Sequence, residues 1–287
     1  MKKRLLFLRD GTAGTVLVAY LFIAGLVLLP TRWLGELVGA RGDTAEYLGI
    51  GLMRLLLCGV LLFLMYHMDI RKRFLPRGAI ALLASLPALV IAVNNLPILS
   101  LAAGTTRLTA SPQAVAAFAL QCVGVGLFEE IAFRGILFPY ILGMTGTDVR
   151  GRFAAVLVSG GLFGALHLVN LLGGFSGGVF LQVGYSFLLG CMLAVCVFCG
   201  AGVLVCALVH AVYNFCGNVV WECGNGTFSL IWTPAEIALT VVVSLAVAAF
   251  YVLFLYKSRP AAGVALEKLF PQDGESGEGE DGKGGES

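Results

Sequence analysis

The chain has 287 residues, of which 59% are hydrophobic and 13% charged, with a formal net charge of +2 and a mean hydropathy of +0.92. Soluble domains carry about 25% charged residues, and even a fold of this length leaves roughly a quarter of its chain surface in water, so it could not hide this much apolar side chain. The composition excludes a soluble enzyme, a nucleic-acid binder and a disordered chain and points to a bilayer protein; the small net charge selects no partner.

A span of about 20 apolar residues crosses the hydrocarbon core as a helix. Eight stretches qualify, at about 14–30, 48–68, 78–96, 112–142, 153–172, 179–199, 203–221 and 235–256. The N-terminal Met-Lys-Lys-Arg before an apolar run has the look of a signal peptide, but the run is long and ends at Thr31-Arg32-Trp33 without a small-residue cleavage site. It reads as an uncleaved first span. The fourth stretch exceeds one crossing, so it is expected to be tilted, broken, or extended beyond the membrane.

Basic residues orient the chain. With the N-terminus inside, the inner segments hold fourteen (Lys2, Lys3, Arg4 and Arg9; Arg71, Lys72, Arg73 and Arg77; Arg150 and Arg152; Lys257, Arg259, Lys268 and Lys283) against three outside, Arg32, Arg41 and Arg107. Both termini are therefore expected in the cytoplasm, with Trp33, Trp221 and Trp232 at the outer boundary. The expected fold is an all-α polytopic membrane bundle of about eight transmembrane helices over residues 1–259, followed by an acidic, Gly/Ser-rich tail, 260–287, that cannot bury enough apolar surface to order itself. Seven of the eight cysteines sit in apolar runs and Cys223 in an expected loop, which suits packing rather than a disulfide framework.

An ionisable side chain in hydrocarbon costs several kcal/mol, which makes the few present informative. They are Arg54, Glu129, Glu130, Arg134, His167 and His210. Arg54 is close enough to a span end to snorkel to the headgroups. Glu130 and Arg134 are i,i+4 neighbours able to pair, which leaves Glu129 aimed about 100° round the helix. Glu129 lies fourteen residues before Gly143 and His167 fourteen after Phe153, so both reach a similar depth, roughly 20 Å from the joining loop at 1.5 Å per residue. Gly160, Gly161 and Gly164 are expected to let the fourth and fifth spans approach closely. His210 and Asn214 share a face of the seventh span, extended by Asn218, while His67 borders the basic loop.

Two acids, two imidazoles, a carboxamide and a guanidinium are parts of a hydrolase that activates water. Glu129 suits a general base, His167 can share the proton or orient the water, and His210 with Asn214 can donate to an oxyanion. No serine or cysteine nucleophile motif accompanies them. The set could also hold a divalent metal such as zinc through Glu129, His167 and His210, although no H-E-x-x-H is present.

The ordered patterns E-E-x-x-x-R (Glu129–Arg134), F-x-x-x-H (Phe163–His167) and H-x-x-x-N (His210–Asn214) resemble the three motifs of the CPBP family, the CAAX-protease and bacteriocin-processing intramembrane peptidases, also called Abi. The resemblance covers about residues 112–220. It implies an intramembrane endopeptidase related to the type II CAAX prenyl endopeptidases, in a bacterial cell membrane, acting on a peptide or protein substrate with no nucleic acid involved. It further implies that Glu129 and His167 activate water, that His210 and Asn214 form the oxyanion site, and that Glu130, Arg134 and Phe163 support them. Family accounts include both a glutamate-dependent, cofactor-free mechanism and a metal-dependent one. The alternatives are a non-proteolytic membrane regulator or scaffold on the same fold, and a proton- or ion-coupled transporter, against which the lack of an internal repeat counts.

Overall fold

The computed structural model describes residues 13–66, 71–262 and Val264. His67, the first basic cluster and the tail from residue 265 lie outside the described residues. The elements run α1 (Ala13–Val27), α2 (Arg32–Leu37), α3 (Gly42–Tyr66), α4 (Arg71–Phe74), α5 (Ala79–Asn94), α6 (Ile98–Ala102), α7 (Pro112–Glu130), a π-helical turn (Ile131–Leu137), α8 (Phe138–Thr145), α9 (Val149–Leu166), a 3₁₀ segment (His167–Gly173), α10 (Gly177–Phe198), α11 (Val203–Cys223), α12 (Phe228–Ile231) and α13 (Pro234–Lys257). Among the described residues there is no strand, only an isolated bridge between Leu108 and Gly224.

A helix occupies each of the eight expected stretches. Six are long and apolar enough to cross a membrane. The other two, α1 with 15 residues and α5 with 16, are shorter than the ~20 residues a perpendicular crossing needs. The long starts carry the local chemistry that ends a loop. Ser111, Asp148 and Thr233 accept backbone N–H groups three residues on (Ala114, Gly151 and Glu236), and Pro112 and Pro234 follow two of these caps where a missing N–H costs nothing.

Residues 112–145 form a continuous 34-residue helical run, about 50 Å at 1.5 Å per residue, so the long fourth stretch both exceeds one crossing and changes its winding. The π turn sits where Pro139, with no N–H for the carbonyl of Gly135, stops a regular α ladder; Phe138 bonds instead to the carbonyl of Phe133, five residues back. The run lies between α3 and α11 because glycines remove side chains at both contacts. A Cβ on Gly124 would sit 2.6 Å from the carbonyl oxygen of Gly51, and one on Gly126 would sit 2.7 Å from that of Ala207.

Gly160 and Gly164 do admit a close neighbour, but it is α10 and not the fourth span. Their Cβ atoms would lie 2.5 Å from Cys191 Sγ and 2.7 Å from the carbonyl oxygen of Val183, while Gly161 faces open space. The chain thus uses these glycines to set α9 against α10, and the fourth span meets α9 through side chains. The eight cysteines are all free, and Cys223 is the buried last residue of α11 instead of a loop residue.

Segments assigned to opposite sides by charge gather at opposite ends of the bundle. At one end Tyr47 donates to Glu222 at 3.0 Å, Ser100 to the carbonyl of Ile231 at 3.0 Å, and Leu99 N–H to Glu236 at 3.2 Å. Trp33 and Trp221 are exposed near this end, while Trp232 packs against the cluster containing Tyr47 and Phe118. At the other end Arg77 donates to the carbonyl of Ala262, and Arg152 to those of Ser258 and Tyr256, fastening the segment after α13.

The α5–α13 contact contains a polar exception in apolar packing. Pro87 interrupts the α5 ladder, and the Tyr251 hydroxyl inserts there, accepting from Ala88 N–H at 3.1 Å and donating to the carbonyl of Ala84 at 2.9 Å. These groups would otherwise be left without partners in a medium that offers none. Tyr251→Phe is expected to destabilise the fold by about 1–3 kcal/mol, read as a lower unfolding midpoint in detergent, with turnover per folded molecule unchanged.

Candidate active site

The last α-helical residues before the π turn are Glu129 and Glu130, and the first turn of the π segment supplies Arg134. π turns of this kind frequently accompany functional sites. Arg134 donates through Nη1 to Glu130 Oε1 at 3.0 Å and through Nη2 to the carbonyl of Gly190 at 3.1 Å, and both partners of the ion pair are fully buried. Gly190 keeps this contact close, since a Cβ would meet Arg134 Nη2 at 3.3 Å and Phe163 at 3.1 Å. The expected i,i+4 pair is therefore present, and α10 completes it.

His210, from α11, joins the same carboxylate. Its Nδ1 lies 2.9 Å from Glu130 Oε1, and its Nε2 lies 3.8 Å from Glu129 Oε2. The two glutamates are not aimed apart, as the sequence suggested. They flank opposite nitrogens of one ring, because the imidazole spans the 100° between their side chains. Glu129 Oε2 and Glu130 Oε2 are buried with no hydrogen-bond partner among the described residues.

Phe163 is the element that gathers the rest. Its ring meets those of Phe133, His167 and His210 edge-on, with centroids 5.0, 5.4 and 5.6 Å apart, and the Arg134 guanidinium lies 4.4 Å from its centroid. The F-x-x-x-H spacing works by the same turn geometry: Phe163 and His167 are one turn apart, and His167 Nδ1 lies 3.1 Å from the carbonyl of Phe163. His167 is half-buried at the point where α9 tightens into the 3₁₀ segment. Ser186 of α10 approaches its Nε2 at 3.5 Å. Asn214 is half-buried one turn beyond His210, whereas Asn218 turns its amide back to the carbonyl of Asn214 at 2.9 Å.

Sequence reasoning misplaced one charge. Arg54 does not snorkel: it is buried, donating through Nη1 to the carbonyl of Leu26 at 3.0 Å and through Nη2 to that of Val27 at 2.8 Å. Carbonyls at a helix C-terminus have no partners within the helix, and in this case a guanidinium from α3 supplies them. Ser186 and the Gly190 carbonyl also went unseen, since a lone serine and a backbone oxygen in an apolar span carry no signal of their own.

A metal held by Glu129, His167 and His210 would need those three groups to converge. Among the described residues no group of three or more His, Cys, Asp or Glu is placed to hold a metal ion. As placed, the three side chains are not gathered into that ligand set.

Comparison with known families adds one decisive observation. Residues 111–216 match the type II CAAX prenyl endopeptidase Rce1-like family. The matched segment runs from the cap of α7 into α11 and contains all three motifs, so the resemblance read from their order holds. No curated protein and no solved structure matches the chain. The Rce1-like match supports a CAAX-type intramembrane endopeptidase in general terms, and with the six apolar helices it supports a multi-pass membrane protein acting on a peptide substrate.

Proposed function

We propose that this protein is an intramembrane endopeptidase that hydrolyses a peptide bond with water activated by Glu129. The observation that carries the reading is the meeting, within the Rce1-like segment, of both glutamates with His210, and of His210 with His167 across the Phe163 ring. Glu129 Oε2, buried and with no hydrogen-bond partner among the described residues, is the acceptor that takes the water proton. The water oxygen attacks the carbonyl carbon, with His167 orienting it. His210 Nε2–H and the Asn214 amide donate to the oxyanion that forms, while Glu130 holds His210 through Nδ1. The C–N bond then breaks and Glu129 returns its proton to the leaving amine.

Arg134 and Phe163 act on the reaction only by fixing Glu130 and the two imidazoles. The excess of basic residues in the inner segments favours both termini in the cytoplasm, with cleavage near the cytoplasmic side of the bilayer and the acidic residues 271–287 as a solubilising extension.

The test is a comparison of peptides from cells carrying wild-type protein with those from cells carrying His167→Ala at matched membrane levels. A precursor that accumulates, and a product that disappears, in the variant is the expected result. Identical peptide sets would count against proteolysis. A chelator added to purified wild-type protein is expected to leave cleavage unchanged, and loss of cleavage restored by zinc would replace the water-activation scheme.

A further inference from the structure

Helix α10 carries none of the three motifs and no charged residue, yet it meets the site region at three points one helical turn apart. Gln182, Ser186 and Gly190 are spaced i, i+4 and i+8 and so share a face. Gln182 Oε1 accepts from Asn170 Nδ2 at 2.8 Å, Ser186 Oγ lies 3.5 Å from His167 Nε2, and the Gly190 carbonyl accepts from Arg134. The first contact clips the 3₁₀ segment that begins at His167 onto α10, and Gly160 and Gly164 bring α9 against the same helix. The spacing of Ser186 and His167 is therefore set by the fold on both sides.

Ser186 is 3% exposed, and among the described residues His167 Nε2 is the one group its hydroxyl meets. A firm O–H hydrogen bond is about 2.5–3.0 Å long, so at 3.5 Å this hydroxyl is short of a full partner. That condition is costly for a polar group held in an apolar interior, and it points to a third group between the two. On the ring, Nδ1 faces the carbonyl of Phe163 at 3.1 Å. A carbonyl only accepts, so Nδ1 bears the ring proton and Nε2 is left as the acceptor. A water about 2.8 Å from Nε2 can lie at the same distance from Ser186 Oγ.

We propose that Ser186 is a further catalytic residue, whose hydroxyl donates to the attacking water that His167 Nε2 orients. Such a water gives one O–H to Nε2 and the other to Glu129. It receives the Ser186 hydroxyl proton on one lone pair and keeps the second lone pair for the scissile carbonyl. Ser186 forms no covalent bond and ends the reaction unchanged. The inference rests on the proposed function above and supplies the second ring-side partner of its water.

The test uses the full-length protein in proteoliposomes and a quenched-fluorescence peptide spanning the bond identified by the peptide comparison. Ser186→Ala is expected to lower kcat about tenfold or more, with KM within about twofold, counted per folded molecule. Threonine and valine have the same shape and differ in the hydroxyl, so Ser186→Thr is expected to stay within about threefold of wild type while Ser186→Val falls as far as Ser186→Ala. Gln182→Leu removes the neighbouring clip without touching the hydroxyl, and it is expected to leave kcat within about threefold.

Equal losses in Ser186→Thr and Ser186→Val, a Ser186→Ala enzyme with wild-type kcat, or a Gln182→Leu loss as large as that of Ser186→Ala would each show packing between α10 and its neighbours and overturn the proposal. If the Thr and Val variants do not accumulate as folded protein, Ser186→Ala beside Gln182→Leu decides: a kcat loss confined to Ser186→Ala supports the role, and equal values overturn it. Full activity in His167→Ala would bring down the proposed function and this inference with it, whereas an inactive His167→Ala beside a fully active Ser186→Ala brings down this inference alone.

Discussion

Glu129→Gln is expected to reduce kcat by about 10²–10⁴-fold, the usual contribution of a positioned general base, while the protein stays inserted and folded. The amide is nearly the same size and sits at a position only 7% exposed, so packing around it changes little. What is lost is the one property the reaction needs there, a free carboxylate lone pair able to hold a proton through two steps. KM is expected to hold within a few fold, because the interaction removed is made in the transition state and not on binding. Glu130→Gln separates the two neighbouring acids. Its carboxylate already serves Arg134 and His210, so its loss is expected to act by loosening the imidazole and lowering stability, with a smaller fall in turnover than at Glu129. A Glu129→Gln enzyme with wild-type turnover, or one that merely fails to fold, would remove Glu129 from the centre of the mechanism.

The sites that sequence located, and the relations it missed, separate along physical lines. Charges and imidazoles stand out because a bilayer makes each of them costly, so Glu129, Glu130, Arg134, His167 and His210 were legible as a set before any helix was placed. The Glu130–Arg134 pair followed from helix geometry alone, and the helix positions followed from span length. What stayed hidden depends on rotation and on irregular winding. A π turn shifts every later residue round the axis, and nothing in the run Ile131–Leu137 except the nearby Pro139 announces one. The partner of Gly160 and Gly164 could be any helix, since a glycine stripe shows that something approaches but not what. Snorkelling is the natural reading of Arg54 from sequence, which cannot reveal that the end of α1 reaches it with the carbonyls of Leu26 and Val27.

Arg134→Met is expected to be the most destabilising single change at the site, because it breaks a buried pair from one side. Breaking such a pair typically costs about 3–5 kcal/mol, since the remaining charge is stranded away from solvent. Here the stranded group is Glu130, fully buried, left with His210 alone, and the Gly190 carbonyl loses its donor as well. Methionine can fill the slot between Phe133 and Phe163 that the guanidinium occupies, at 5.8 and 4.4 Å from their ring centroids, so the loss arises from charge rather than from a cavity. The double change Glu130→Gln/Arg134→Met removes both charges, and it is expected to recover much of the stability while staying impaired in turnover, because the Nδ1 contact that fixes His210 is weakened. Unfolding midpoints in detergent and protease protection of the three proteins measure the first effect, and turnover per folded molecule measures the second. If the single variant melts with the wild type, Arg134 is dispensable to the fold. If the double variant is no more stable than the single, the cost lies in lost packing and not in the stranded carboxylate. The pairing of recovered stability with unrecovered activity distinguishes a site built to hold an imidazole from a helix clamp that merely contains charges.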